Sequence, residues 1–369
     1  MNGRPAGPLT LFLCGDVMLG RGIDQILPHP LDPTLRERYV HGAGDYVALA
    51  EAANGPVPRP VDFSWPWGDA LDVLAGAAPD ARIVNLETSV TGTDRFAAGK
   101  AVHYRMNPAN LPCLAAARPD VCVLANNHAL DFGLGGFEQT LAALSSAGLQ
   151  VAGGGLDAHQ ARRPATVRVD HARVLVFACG ATSSGIPLDW AATEDRAGLD
   201  VVPEISVDGA ERLAERIRRH KRPGDVAVVS IHWGSNWGYE IPAEQIRFAH
   251  ALIDNGADVV HGHSSHHPRP MEVYRDRLIL YGCGDFINDY EGIGGYERYR
   301  DDLRLLYLAS IAPTGALLGL RMAPMQARRL RLQRACAEDT EYLRAVLNVV
   351  SARFDVRIDA TAEGMLTAS

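Results

Sequence analysis

Short apolar runs separated by amphipathic segments set the pattern of this chain. Seven runs rich in Leu, Ile and Val read as strands: Thr10–Gly15, Arg82–Leu86, Asp120–Ala125, Arg173–Ala178, Asp225–Ile231, Asp258–Gly262 and Arg277–Gly282. Three segments between them carry helical periodicity. Phe137–Ala147 is rich in Ala and Leu and stops at Gly148, a residue suited to a left-handed helix end. Asp208–His220 sets Leu213, Ala214 and Ile217 on one face and ends before Pro223-Gly224. Ala243–Asn255 follows Pro242, which is pre-organised for a first helical turn, and stops at Gly256. Strands alternating with helices predict an α/β fold around a buried sheet.

Two stretches break the alternation. Residues 28–69 carry many Pro, Gly and aromatic residues, including Trp65-Pro66-Trp67-Gly68, and read as a long functional loop or lid. Residues 287–301, with Tyr290, Gly292, Gly294, Gly295 and Tyr296, read as a second one. Beyond about residue 303 come two strand-like runs and a helix near Glu338–Arg353. The simplest organisation is one domain over 1–310 with a C-terminal strand/helix extension, 311–369, packed on it.

Composition narrows the function classes. The 369 residues are 47% hydrophobic and 22% charged, an ordinary globular balance. Lys+Arg 36 against Asp+Glu 44 gives a net charge of −8, which lacks the basic field that nucleic-acid binding needs. No apolar run reaches the roughly 18 residues of a membrane span, and the N-terminal run Leu9–Leu13 is too short for a secretory signal. The six Cys form no C-x-x-C pair and sit mostly in apolar runs, which excludes a zinc knot or disulfide scaffold. These features predict a protein of a reducing, cytoplasmic compartment that binds neither membrane nor nucleic acid. They leave its oligomeric state open.

The chemistry lies in where the polar residues fall. Nearly every predicted strand ends in a group that binds metal or moves a proton: Gly15-Asp16, Asn85-Leu86-Glu87, Asn126-Asn127-His128 with Asp131, His232-Trp233-Gly234, His261-Gly262-His263 and Gly284-Asp285. Ligands of α/β sheets bind beyond the carboxyl ends of the strands, so these groups converge there. A mixture of carboxylate, amide and imidazole suits a divalent cation: Mn, Fe or Zn, or Mg or Ca where oxygen dominates. Four imidazoles stand in the seven residues His261–His267, of which His261 and His267 read as bystanders. Trp233 and Trp237 serve either packing or substrate stacking, and Trp65 and Trp67 are further candidates for holding a bulky substrate group.

At these residues the chain resembles the CapA family of poly-γ-glutamate capsule proteins, with a calcineurin-like metallophosphatase fold. The matching stretches are Gly15 to Arg21, Asn85 to Thr88, Ala125 to Asp131, His232-Trp233-Gly234, Gly262-His263 with His266, and Tyr281 to Phe286. The resemblance implies an αββα sandwich of two mixed sheets flanked by helices, with the site along one edge. It implies a metal shell of Asp16, Glu87, Asn127, His232, His263 and His266. His128, oriented by Asp131, becomes the acid/base. Three departures stand out: Met18 where the metallophosphatase pattern has His, Glu87 where it has a bridging Asp, and a His263-x-x-His266 spacing. They predict one cation, or two unequal ones.

The expected function is that of a metal-dependent acid/base enzyme, an isomerase that epimerises a residue at Cα (L to D) in a ribosomal peptide substrate. Soluble CapA-like proteins include lasso-peptide epimerases, and inverting a Cα needs a base on one face and an acid on the other. His128 with Asp131 is one candidate pair, and His263 or His266 with Asp16 or Asp285 is the other. The alternatives are a metallophosphoesterase and a component of poly-γ-glutamate capsule biosynthesis.

Overall fold

The computed structural model describes residues 7–169 and 172–369. Each of the seven predicted runs holds a strand, and the three predicted helices span Gly133–Ser146, Val207–His220 and Ala243–Asp254. The strands form two large mixed sheets. The first has ten strands, and its path includes Leu317–Ala327, Leu303–Ile311, Leu9–Val17, Ala81–Leu86, Val121–Val123 and Gln150–Ala152 in that order. The second has seven and runs Val201–Val202, Ala172–Ala181, Val226–His232, Val259–His263, Arg277–Leu280, Met271–Tyr274 along its main path.

Alternation along the strands explains the layers. Side chains of a strand point to opposite faces in turn. Leu11 and Leu13 therefore enter one core with Ile83, Val123, Val176, Val228 and Leu280, drawn from both sheets. Phe12 and Cys14 enter a second core with Phe137 and Leu144 of a covering helix. On the far side of the other sheet, Val229 and Ile231 meet Leu213, Ile217, Phe248 and Leu252 of two more helices. Three apolar layers thus separate helix, sheet, sheet and helix, which is the αββα sandwich expected from the sequence.

Two expectations need correcting. Residues 28–69 do not form a free lid: Ala43–Asn54 is a helix, and Trp67 is fully buried in the core. That helix escapes sequence reading because it opens on Gly42-Ala43-Gly44 and buries only Ala43, Tyr46, Val47 and Ala50. The chain after about residue 303 adds more than the two strands and a helix foreseen. Leu317–Ala327 pairs with Leu303–Ile311, and short strands Leu332–Arg334, Ile358–Ala360 and Leu366–Ala368 extend the first sheet.

The sheet edge that carries the polar residues is organised by one crossing. Leu9–Val17 pairs in parallel with Asp285–Ile287, in a register that sets Asp16 beside Asp285. The Asp16 amide donates to the Gly284 carbonyl at 3.1 Å. The approach is closer than any side chain permits: a Cβ on Gly15 would lie 1.5 Å from the Gly284 oxygen. Both Gly-Asp steps are therefore structural as well as chemical. We predict that Gly15→Ala costs about 3 kcal/mol or more by overpacking this crossing. Urea unfolding should show a large midpoint shift, and an unchanged midpoint would contradict the crossing.

Candidate metal centre

Six segments deliver side chains to one buried patch. Asp16 leaves the end of Leu9–Val17, and Glu87 follows Ala81–Leu86. Asn127 and His128 lie in the loop after Val121–Val123. His232 and His263 are the last residues of adjacent parallel strands and stand in register with each other. His266 follows three residues on, past Ser264, whose φ of 100° marks a strained turn. Asp285 opens the strand beside Asp16.

Their atoms fall into two groups that share Asp16. Asp16, His232 and His263 bring ligand atoms within 4.8 Å of one another, and so do Asp16, His266 and Asp285. The Asp16 Oδ1 atom accepts from Asn85 Nδ2 at 2.7 Å, while its Oδ2 is buried without a partner. Burial and neighbouring Asp285 push the Asp16 carboxyl up to about 7. Burial and Asp16 push Glu87 well above the usual carboxylate range. An orphaned carboxylate oxygen among crowded acids and imidazoles fits a divalent cation, which would supply the missing partner. The first group offers two nitrogens and one carboxylate, the second one nitrogen and two carboxylates. That inequality suits a borderline metal such as Mn, Fe or Zn better in the first.

The remaining predicted residues surround these groups. Glu87 stands outside both, with Oε1 3.8 Å from His128 Nε2 and 4.0 Å from His232 Nε2. Asp16, rather than the longer Glu87, occupies the shared position. The Asn127 amide oxygen lies 3.0 Å from His232 Nε2. Asp285, expected only as a proton-transfer partner, belongs to the second group. Its Oδ1 meets His266 Nδ1 at 2.9 Å and its Oδ2 accepts from Asn288 at 2.6 Å. Arg304 in turn donates to Asn288 at 3.1 Å. Met18 is buried, so it replaces a ligand by packing.

His128 and Asp131 meet at 2.7 Å, Nδ1 to Oδ2. A second oxygen of Asp131 pairs with Lys100, and the Tyr104 amide donates to Oδ2 at 2.7 Å. Burial raises the Asp131 carboxyl, but His128 and Lys100 outweigh it and hold it below its usual value. Burial pushes His128 down to about 4, against the pull of Asp131. His266 moves the other way: burial lowers it, but Asp285 outweighs burial and raises it. Lys100 is a site residue that sequence reasoning misses. It lies outside every strand-end motif, in a loop whose sequence carries no signal of the contact.

The tryptophans divide. Trp67 and Trp233 are buried, and their ring N–H groups donate to the Cys113 and Tyr281 carbonyls. Trp65 packs half-buried against the same core as Trp67 and donates to the Arg329 carbonyl. Trp65 and Trp67 are packing residues, contrary to expectation, and Trp233 takes the packing role of the two open to it, because apolar rings with one satisfied N–H gain more from the core than from a wet cleft. Trp237 does reach the site. It stacks on Tyr296 at 4.0 Å and lies 5.2 Å from His266, ring to ring. With Tyr104, Tyr290 and Asn236 it lines a cleft of about 240 Å³ beside His266. A larger groove of about 820 Å³, lined by Leu141, Gln150 and Arg163, contains none of the predicted site residues.

Two outcomes follow from this arrangement. Asp16 keeps its proton up to about pH 7 and must lose it to bind a cation, so metal binding releases a proton. Titration calorimetry of metal-stripped protein with Mn²⁺ should show affinity falling by up to about tenfold per pH unit below 7 and levelling off above it. A flat profile from pH 5.5 to 8 would contradict the assignment. Trp67→Ala should cost about 3–5 kcal/mol in urea unfolding. Mn²⁺ affinity should be unchanged in the folded variant, because Trp67 packs in the core rather than at the site.

Among the described residues, no helix is long and apolar enough to cross a membrane. Residues 10–290 match the family described as bacterial capsule synthesis protein PGA_cap. A probable polyglutamine synthesis accessory protein of Mycobacterium tuberculosis is 53% identical over 99% of this chain and 97% of its own length. The PGA biosynthesis protein CapA of Bacillus subtilis is 30% identical over 81% of this chain and 67% of its own. Among solved structures, a 5'-nucleotidase precursor from Thermus thermophilus aligns at 14% identity and a TM-score of 0.44, over 93% of this chain and 59% of that one. That likeness says nothing of activity. With three quarters of its length matched and a relative of 53% identity spanning nearly all of it, the chain belongs to the PGA_cap, or CapA, family of bacterial capsule synthesis proteins.

Proposed function

We propose that this protein is an accessory enzyme in the synthesis of a glutamyl polymer of the capsule type, and that it performs metal-assisted acid/base chemistry on the polymer backbone. One observation carries the reading: the hydrogen-bonded His128–Asp131 pair faces the buried Asp16 groups across Glu87. The family description and the names of the relatives support the polymer as substrate class.

Asp16, His232 and His263 would hold the cation, with His266 and Asp285 completing a second position. When bound, such an ion polarises a carbonyl and stabilises the negative charge that develops on it. The chain's own groups do the rest. Asp131 accepts from Nδ1–H of His128, which fixes the tautomer and leaves the Nε2 lone pair toward the site. Burial keeps that imidazole neutral at physiological pH, ready to take a proton. Trp237 and Tyr296 present a flat aromatic wall against which a chain can lie.

A second reading rests on the opposed states of the two imidazole–carboxylate pairs. Burial pushes His128 down to about 4, whereas Asp285 raises His266 against burial. Divergent pairs of this kind mark a base and an acid. Inversion at a Cα of a peptide residue uses both, and that reading makes the protein an epimerase acting on the same backbone.

One experiment separates these. Mn²⁺-loaded protein is incubated with a glutamyl oligomer in D₂O, and products are read by mass and chiral chromatography. Shorter fragments support cleavage or transfer at the amide. Intact oligomer with deuterium at Cα supports inversion. Turnover only of a phosphodiester control, or of nothing, overturns the proposal. His128→Ala should lower the observed rate by about 10²–10⁴-fold while leaving Mn²⁺ content unchanged.

A further inference from the structure

His261 reads from the sequence as a bystander, and Ser230 carries no sequence signal. The structure puts both in one buried chain of hydrogen bonds behind His263. His261 Nε2 lies 2.8 Å from the Cys14 carbonyl oxygen, and His261 Nδ1 lies 3.0 Å from Ser230 Oγ. Ser230 Oγ lies 3.0 Å from His263 Nε2. All three side chains are fully buried.

Hydrogen counting gives this chain a direction. A carbonyl can only accept, so the hydrogen of His261 is on Nε2. An imidazolium at His261 would undo that inference, but its hydrogen-bond partners are a carbonyl and a hydroxyl, with no carboxylate to offset a buried charge. Its Nδ1 is therefore an acceptor, and the single Ser230 hydrogen goes there. Ser230 Oγ is left to accept from His263, so the His263 hydrogen is on Nε2. The His263 Nδ1 lone pair is thereby bare and points into the site.

The second strand arrives at the same point independently. His232 Nε2 donates to the Asn127 amide oxygen at 3.0 Å, which leaves His232 Nδ1 bare as well. The two Nδ1 atoms face each other at 2.8 Å. With no hydrogen between them, two lone pairs at that distance repel. A cation held by both lone pairs would replace that repulsion with attraction. Asp16, whose Oδ2 is buried without a partner, belongs to the same group.

We propose that Ser230 and His261 are positioning residues of the metal centre: the relay from the Cys14 carbonyl locks His263 in the Nε2–H tautomer and presents its Nδ1 to the cation. The proposal rests on the metal centre of the function proposed above, but not on its substrate or reaction.

The test uses ¹⁵N-labelled, metal-stripped full-length protein. Long-range ¹H–¹⁵N spectra should show His261 and His263 both as Nε2–H tautomers. Mn²⁺ titration should show Ser230→Ala binding about 10–100-fold more weakly than wild type. Thermal unfolding of the metal-free variant should stay within a few degrees of wild type. An Nδ1–H tautomer at His263 in the wild type overturns the relay whatever the variant does. Unchanged Mn²⁺ affinity in a folded Ser230→Ala overturns it too. A wild type that binds no divalent ion overturns the metal centre itself, whereas failure of the glutamyl-oligomer assay leaves the relay intact.

Discussion

The structure depends on the crossing of two parallel strands at Gly15 and Gly284. No side chain fits between them, so the backbones close until the Asp16 amide reaches the Gly284 carbonyl. Asp16 then has no choice of neighbour. It lies in register with Asp285 and within reach of His232, His263 and His266 from the facing sheet. A sandwich whose inner faces are sealed by Leu, Ile and Val gathers these polar groups along its rim. Fold and site are therefore one construction: the apolar layers fix the strands, and the strand ends fix the ligands.

The electrostatic consequence is a demand for positive charge. Asp16, Glu87 and Asp285 are buried together, and only Asp285 is held well by its own partners, His266 and the Asn288–Arg304 chain. Asp16 and Glu87 have amide donors but no basic side chain in hydrogen-bond contact, and both resist ionisation. Burying like charges without compensation is costly, and a bound cation reverses the sign of that cost. Around this centre the histidines take distinct states, because each has different partners. Burial pushes His128 down against Asp131, Asp285 raises His266, and His263 meets Ser230.

Much of this was legible in the sequence, for physical reasons. Short apolar runs, helical periodicity and Gly/Pro punctuation placed seven strands and three helices, because burial imposes those patterns. Residues at strand ends were legible as candidate site residues because parallel strands gather their carboxyl ends along one rim. What stayed hidden depended on contacts distant in sequence. The helix Ala43–Asn54 has a weak apolar face, so it read as loop. Trp65 and Trp67 read as substrate contacts, and Trp233 read as either packing or stacking, because a tryptophan in the core and one in a cleft have the same letter. Lys100 and Ser230 sit in unremarkable stretches, and only the fold brings them to Asp131 and His263. His261 alternates along a strand with His263, and nothing local distinguishes a ligand from the residue that orients it.

The central claim is that Asp16, His232 and His263 hold a divalent cation. Anomalous diffraction from crystals grown with Mn²⁺ tests it most directly. The account predicts a peak bounded by an Asp16 carboxylate oxygen and the Nδ1 atoms of His232 and His263, each about 2.1–2.2 Å away. A crystal with no peak there, with Asp16 Oδ2 still unpartnered at full Mn²⁺ loading, would contradict it.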